Sequence, residues 1–571
     1  MVEIKRKILP LGYFFIFLIS FLVFASFQLA AKTILCPDTF YHAKIASFLS
    51  QGILIKNFVW LPYTILADSY SNHHFLYHLI LVPFAHFFDP LFSVKIATLI
   101  FATLFLVLFY WLLKRFKIKF AFFYAFLVLT VPAFLTRINL AKAPSIALIF
   151  LFLGFYALFK RRYFLLAIVS FFYVWLYNTW PILLAATIIH CFSSAFKKLI
   201  DHWQEIQQKI KNRKEKIKNK NKKQKNISTF LSLYFCSFIF YFLYLVRCFL
   251  KKDNLKLLSV CFLGIIAGLV INPYFPQNLY FNWVHIVKIG LKNYQNILPV
   301  GAEWYPFEPI SLIQSSPFIF LLWFFALAWF LVSFKKNVSH PYFSQKKEAL
   351  TFFILSILFF IYTIKSRRNI EYFVPFAILF TAFSFNKLFL RFNWQEYFAP
   401  LKNWLKFPFN LISLILVGLI SIIFVFALSY FSEKVWLAKR NEFKGGASFD
   451  QFKKVSQFLK EKTSVGEIIF HSSWDEFPAL FYHNEKNYYI AGLDPTFMYE
   501  KNKSLYWVWY NIVRGKQKKY LAETIKENFQ AQYVFVRIER KEMIENLSLD
   551  KNFEKIYEDE EGRVYKIKDE K

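Results

Sequence analysis

The chain has 571 residues, 57% of them hydrophobic and 22% aromatic, and its mean hydropathy is +0.37. That excludes an ordinary soluble domain, because repeated apolar runs of roughly 20 residues are what a bilayer core requires. The net charge of +34 would suggest nucleic acid in a soluble protein, but here Lys and Arg cluster at the ends of apolar runs, where cytoplasmic loops carry them.

Lys5, Arg6 and Lys7 precede "YFFIFLISFLVFASFQLAA" (13–31). This run is too long for a signal-peptide core, so an uncleaved first span over 8–31 is expected, with a cytoplasmic N-terminus. A first external loop, 33–73, opens on "CPDTFYH" (36–42). Pro37 suits a helix start, and "DTFYHAKIASFLSQG" (38–52) has apolar residues at helical spacing. Asp38 and His42 are four apart and share a face. The pair suits metal binding or acid–base work; the alternative is a plain charge at a helix N-terminus. The loop ends in "LADSYSNHHFLYHLILVPF" (66–84), which places Asp68, His73, His74 and His78 just before the chain re-enters the membrane, with a short juxtamembrane helix expected at 74–88. The alternative for the histidines is interfacial packing.

Further spans are expected at 91–113, 119–136, 143–160, 163–178 and 180–196. The basic runs "KRFKIK" (114–119), "KRR" (160–162) and "KIKNRKEKIKNKNKKQKN" (209–226) then fall inside, the last in a cytoplasmic loop at 197–227. Residues 228–250 read as an interfacial helix or as one of a pair of crossings. Otherwise "KKNVSHPYFSQKK" (335–347) would face outside. Spans at 256–272, 317–334, 349–364, 371–387 and 409–431 follow, giving an odd total of 11 to 13 and an external C-terminus. The five Cys residues are scattered, with no CxxC pair, so no zinc or redox site is expected.

A second external loop, 272–316, carries Glu303 in "GAEWYP" (301–306), a candidate base, a metal ligand or a solvated acid. "KSRRNIEYFVPF" (365–376) puts Arg367 and Arg368 at an outer span end. Arg there needs a partner, and either a lipid phosphate or Glu371 would serve. From 432 the chain turns charged, with strand-like runs "GEIIF", "NYYIAGL", "QYVFVRI" and "GRVYKI" alternating with helical patterns. A transmembrane core over 1–431 followed by an extracytoplasmic α/β domain over 432–571 is expected. In "SSWDEFP" (472–478), Trp474 and Asp475 follow a strand and suit sugar or peptide binding, or Asp475 caps the next helix.

Together these residues resemble the GT-C superfamily of membrane glycosyltransferases, above all the catalytic subunit of oligosaccharyltransferase. "PDTFYH" resembles the family's first-loop acidic motif, which implies that Asp38 is the catalytic, metal-linked acid. "SSWDEFP" is similar in place and type to "WWDYG", with Trp474 and Asp475 matching. "RRNIEYFVPF" resembles "R-F-x-x-Y-F-x-P", which implies a phosphate-contact role for Arg368, with Tyr372 beside it. The family's second acidic motif would fall near "TRINLAKAPS" (136–145), which has no acid; Asp68 or Glu303 would take its place.

The resemblance implies transfer of a sugar from a polyprenyl-phosphate or polyprenyl-diphosphate donor to a glycan, protein or lipid acceptor on the extracytoplasmic face. Asp38, Asp68 and Glu303 are the candidate catalytic acids, and Asp38 and Glu303 would hold Mg or Mn. His42, His73, His74, Arg367, Arg368, Tyr372, Trp474 and Asp475 are the candidate substrate contacts. Membrane lipids are expected partners and nucleic acid is not. The competing readings are a lipid or polysaccharide transporter or flippase, which would place polar groups near the midplane, and a non-catalytic scaffold.

Overall fold

A computed structural model describes residues 2–202, 239–336, 347–391 and 408–568, with the isolated positions 208 and 212. The apolar runs are helices, as they must be where lipid offers the backbone no hydrogen bonds. Among the described residues, five helices are long and apolar enough to cross a bilayer: Leu11–Gln28, Pro90–Arg115, Pro181–Asp201, Lys252–Val270 and Lys347–Lys365. Two bent pairs raise this to seven by length and composition. Ala121–Thr130 turns by 85° into Pro132–Asn139, and Pro309–Ser315 turns by 106° into Pro317–Val332. Each break falls at a proline, which lacks the N–H of the helical ladder.

The count of five to seven is lower than the expected 11 to 13 for identifiable reasons. The runs at 143–160 and 163–178 form Pro144–Phe159 and Tyr163–Leu176, of 16 and 14 residues. Both are short of the roughly 20 residues that span a bilayer upright. The runs at 371–387 and 409–431 lie within the helices Ile370–Arg391 and Pro408–Lys444. Of 228–250, the part from Ile239 to Phe249 is a helix. The basic run 209–226, apart from position 212, and most of 335–347 lie outside the described residues.

Packing among these helices uses rings and glycines. Phe155 meets Phe352 and Phe376 at ring separations of 5.1 and 5.5 Å. Lys252–Val270 lies against Tyr163–Leu176 so closely that a Cβ on Gly264 would stand 2.7 Å from the Ala167 carbonyl oxygen. One on Gly268 would stand 2.6 Å from that of Phe171. Small residues four apart allow such backbone approach. Trp175 Nε1 adds a hydrogen bond to the Gly268 carbonyl at 2.9 Å.

The first loop folds as the helix Asp38–Ser50 and returns to the core through Phe75–Phe87. Its start also forms a short strand, β1 (Thr33–Ile34), antiparallel to β2 (Ala447–Ser448). The helix Pro408–Lys444 runs on past 431, and the sheet-bearing tail domain follows it. That domain holds a five-stranded sheet. Its strands are β3 (Ile468–His471), β4 (Tyr488–Tyr489), β5 (Tyr533–Arg537), β6 (Phe553–Glu558) and β7 (Gly562–Ile567), in the order β4-β3-β5-β7-β6. β3 is parallel to β4 and β5, while β7 is antiparallel to β5 and β6. The α/β character expected of the tail is present.

The tail domain docks on the first loop. Trp60 Nε1 donates to the Glu485 carbonyl at 2.7 Å. The Tyr489 N–H donates to the Trp60 carbonyl at 2.8 Å and the Ile65 N–H to that of Phe497 at 3.1 Å. Phe58 and Trp60 pack on Phe481 at 5.8 and 4.9 Å. The loop is thereby held between the membrane helices and the domain.

Candidate active site

A cavity of about 710 Å³ opens where the first loop, the adjoining helix ends and the tail domain meet. Asp38 enters it from the first turn of its helix, where the helix dipole favours an anion. Glu303 comes from a single 3₁₀ turn, Ala302–Trp304, and Arg368 from a second one, Arg367–Asn369. The Ser366 hydroxyl ties the two turns together by donating to the Glu303 carbonyl at 3.0 Å.

Three cations meet these acids. Lys142 Nζ lies 3.1 Å from Asp38 Oδ2 and 3.8 Å from Glu303 Oε2. Arg137 bonds Glu303 Oε2 and, on its other side, Glu371 Oε2 at 2.8 Å. Arg368 reaches Glu303 Oε1 at 3.3 Å and donates to the Tyr177 hydroxyl at 2.5 Å. Its guanidinium stacks over Trp304, 4.8 Å from the ring centre, which adds a cation–π attraction. Burial alone would raise the Glu303 carboxyl, but Arg137, Lys142 and Arg368 hold it well below the usual range. Asp38, Glu303 and Glu371 thus balance Arg137, Lys142 and Arg368, and the network is neutral.

His42, His73 and His74 line the same cavity. The His74 N–H donates to Asn72 Oδ1 at 3.2 Å, which fixes that atom as the amide oxygen. His78 Nδ1, 2.9 Å from the same oxygen, must then donate to it. His78 Nε2 is therefore an acceptor, and His42 Nδ1, 2.8 Å away, donates to it. The relay leaves His42 Nε2 as a lone-pair acceptor. Burial pushes His73 down to about 3, with Arg368 adding to the effect. Burial also holds His42 and His74 well below their ordinary value, so these imidazoles are neutral at pH 7.

Most of the residues singled out from the sequence line this one cavity: Asp38, His42, His73, His74, Glu303, Arg367, Arg368, Trp474 and Asp475. Two of the expected residues do not. Asp68 is well exposed, with a side chain 64% accessible, and pairs with Lys501 on the tail domain; its short helix Leu66–Ser69 turns it to the surface. Tyr372 is buried in the helix packing beside Phe359, at a ring separation of 5.2 Å. Glu371 pairs with Arg137 rather than with Arg367 or Arg368. Asp475 pairs with Arg537 at 3.3 Å, and the cap position of the next helix is held by Glu476. Trp474 Nε1 donates to the Pro299 carbonyl at 3.1 Å, joining the tail domain to the second loop.

Sequence reading missed Arg137, Lys142 and Asp494. The first two lie in "TRINLAKAPS", a segment searched for acids, where the signal was two cations beside a helix-starting proline. Asp494 caps the helix Pro495–Lys501, accepting from the Thr496 N–H at 2.8 Å. Burial pushes its carboxyl up to about 6. The dipeptide Asp-Pro is a legible cap signal, but nothing in it points to a cavity.

Neither a protein-family model nor a curated protein sequence matches the chain. Solved structures do. The apo oligosaccharyltransferase of Archaeoglobus fulgidus superposes with a TM-score of 0.56 at 14% identity, over 92% of this chain and 70% of that one. The same organism's AglB, in complex with an inhibitory peptide and a dolichol-phosphate, gives 0.57 at 13%, over 93% and 70%. ArnT from Cupriavidus metallidurans, bound to undecaprenyl phosphate, gives 0.52 at 12%, over 97% and 98%. The chain has the GT-C fold. Within this GT-C fold, Asp38 and Glu303 are poorly arranged to hold a divalent ion. Their facing oxygens are taken up by Lys142, Arg137 and Arg368. Among the described residues no group of three or more His, Cys, Asp or Glu side chains comes together as a metal site.

Proposed function

We propose that this GT-C protein transfers a sugar from a polyprenyl-phosphate or polyprenyl-diphosphate donor to an acceptor on the extracytoplasmic face. One observation carries the reading: a carboxylate, Asp38, and a buried cluster of Arg and Lys line the same cavity at the junction of membrane helices and tail domain. A lipid-linked phosphate would meet the protein at such a junction, where lipid and water adjoin. The similar structures that hold dolichol-phosphate and undecaprenyl phosphate make such a ligand the natural one to test.

Cleavage of a glycosyl phosphate builds negative charge on the departing phosphate. Arg368, held by Trp304 and Tyr177, and Lys142 are preorganised donors for that charge. Asp38 would take the acceptor proton or support positive charge at the reacting carbon. Trp474, with its ring at the cavity and its N–H tied to Pro299, would form part of the acceptor side.

The test is a transfer assay in detergent with radiolabelled lipid-linked sugar from the host membrane. Asp38→Asn should lower label release by about 10²–10⁴-fold while folded protein is still recovered in detergent. A wild-type rate in this variant would sink the proposal. Labelled lipid moving across vesicles with no covalent product would favour the transporter.

A further inference from the structure

The position between Asp38 and Glu303 already holds a cation, and it belongs to the chain. Lys142 lies in the short link between the helices Pro132–Asn139 and Pro144–Phe159. Its N–H donates to the Leu140 carbonyl at 2.7 Å, which curls the link tightly. Thr39, next to Asp38, donates its hydroxyl to the Ala141 carbonyl at 3.1 Å. The acid and the lysine are therefore fastened together through neighbouring residues, in addition to their own 3.1 Å contact.

A Mg²⁺ or Mn²⁺ ion here would need close to octahedral oxygen ligation at about 2.1 Å. Asp38 Oδ2 and Glu303 Oε2 both point at one ammonium, and each Glu303 oxygen also bears a guanidinium. A dication in the same space would be repelled by Arg137, Lys142 and Arg368, and repulsion is strong at a buried site. We propose that the Lys142 ammonium is the resident cation of the Asp38–Glu303 pair, in the place of a divalent metal, and that transfer proceeds without one. Lys142 then orients Asp38 and presents N–H donors to the donor's phosphate. This rests on the transfer reading above, but its first test does not require turnover.

Purified protein, stripped with EDTA, is titrated with Mn²⁺ and the free ion is followed by electron paramagnetic resonance. Wild type should bind no stoichiometric ion at this site. Lys142→Asp, which turns the pair into three carboxylates, should gain one Mn²⁺ that wild type lacks. Asp38→Asn in that background should remove it. Lys142→Met tests the same point with little change in shape, and should bind Mn²⁺ more tightly than wild type while losing transfer. In the transfer assay, wild type should keep its rate in EDTA. A wild-type protein that binds one Mn²⁺ lost in Asp38→Asn, or whose transfer stops in EDTA and returns with Mn²⁺, would overturn the inference and leave the transfer reading standing. If no label is released under any condition while the Mn²⁺ results hold, the transfer reading fails and the cation assignment remains.

Discussion

Arg137 is the most constrained charge in the site. It is almost completely buried and clamped between Glu303 and Glu371, and Glu371 is itself fully buried with Oε1 unpartnered among the described residues. Removing one member of a buried pair strands the other charge, at about 3–5 kcal/mol. Glu371→Gln is therefore expected to lower the thermal midpoint in detergent strongly. Asp68→Asn, at an exposed pair, should leave it nearly unchanged. Equal effects would refute the clamp. This contrast also shows what the sequence could reveal. Asp38 was legible because a carboxylate just past an apolar run is unusual and its four-residue spacing to His42 follows from helix geometry. Arg137 and Lys142 were not, because basic residues between apolar runs read as topology signals, and their partners lie far away in sequence. Asp68 misled for the converse reason: closeness in sequence to a histidine cluster does not say which way a short helix turns.

At the scale of elements, the membrane region is built from helices that proline interrupts and glycine brings together. Gly264 and Gly268 put Lys252–Val270 in near-backbone contact with Tyr163–Leu176. Gly268→Leu should force the two apart and lower the yield of folded protein in detergent. Leu at Gly418, where an added Cβ meets nothing within 4 Å, should be tolerated. Similar losses in both variants would argue against a packing role. Apolar runs predicted helices correctly, since lipid leaves the backbone little choice. Hydropathy alone does not say how many of them are long enough to cross upright. The bend at Pro132 follows from the proline rather than from hydropathy, and the helix after it carries Arg137, which lines the cavity. In the tail, short β-rich runs between helical patterns marked β3, β4, β5 and β7. β6, reading "FEKIYE" with charges interspersed, is held mainly by pairing with β7, and such pairing is not visible in a local window.

Taken whole, the molecule joins membrane core and tail domain at several places, among them the first loop against the tail at Trp60 and the second loop against it at Trp474 and Glu500. The strand pair β1–β2 is another of these joints. Thr33 also donates its hydroxyl to the Phe443 carbonyl at 2.6 Å. The Phe449 N–H donates to the Lys32 carbonyl at 3.1 Å. From the core side, Lys95 Nζ donates to the carbonyls of Ala31 and Thr33 at 2.8 and 2.6 Å. The few residues leading to Asp38 are thus gripped from both directions. Single helices answer a thinner or thicker bilayer by changing their tilt, and a reactive group hung on one such helix would rise and sink with it. Asp38 is instead levelled by protein contacts, like a shelf bolted to two walls. Reconstituted in bilayers of short and of long acyl chains with the same donor, the protein should turn over at similar rates. A steep dependence on bilayer thickness would mean that the joint yields.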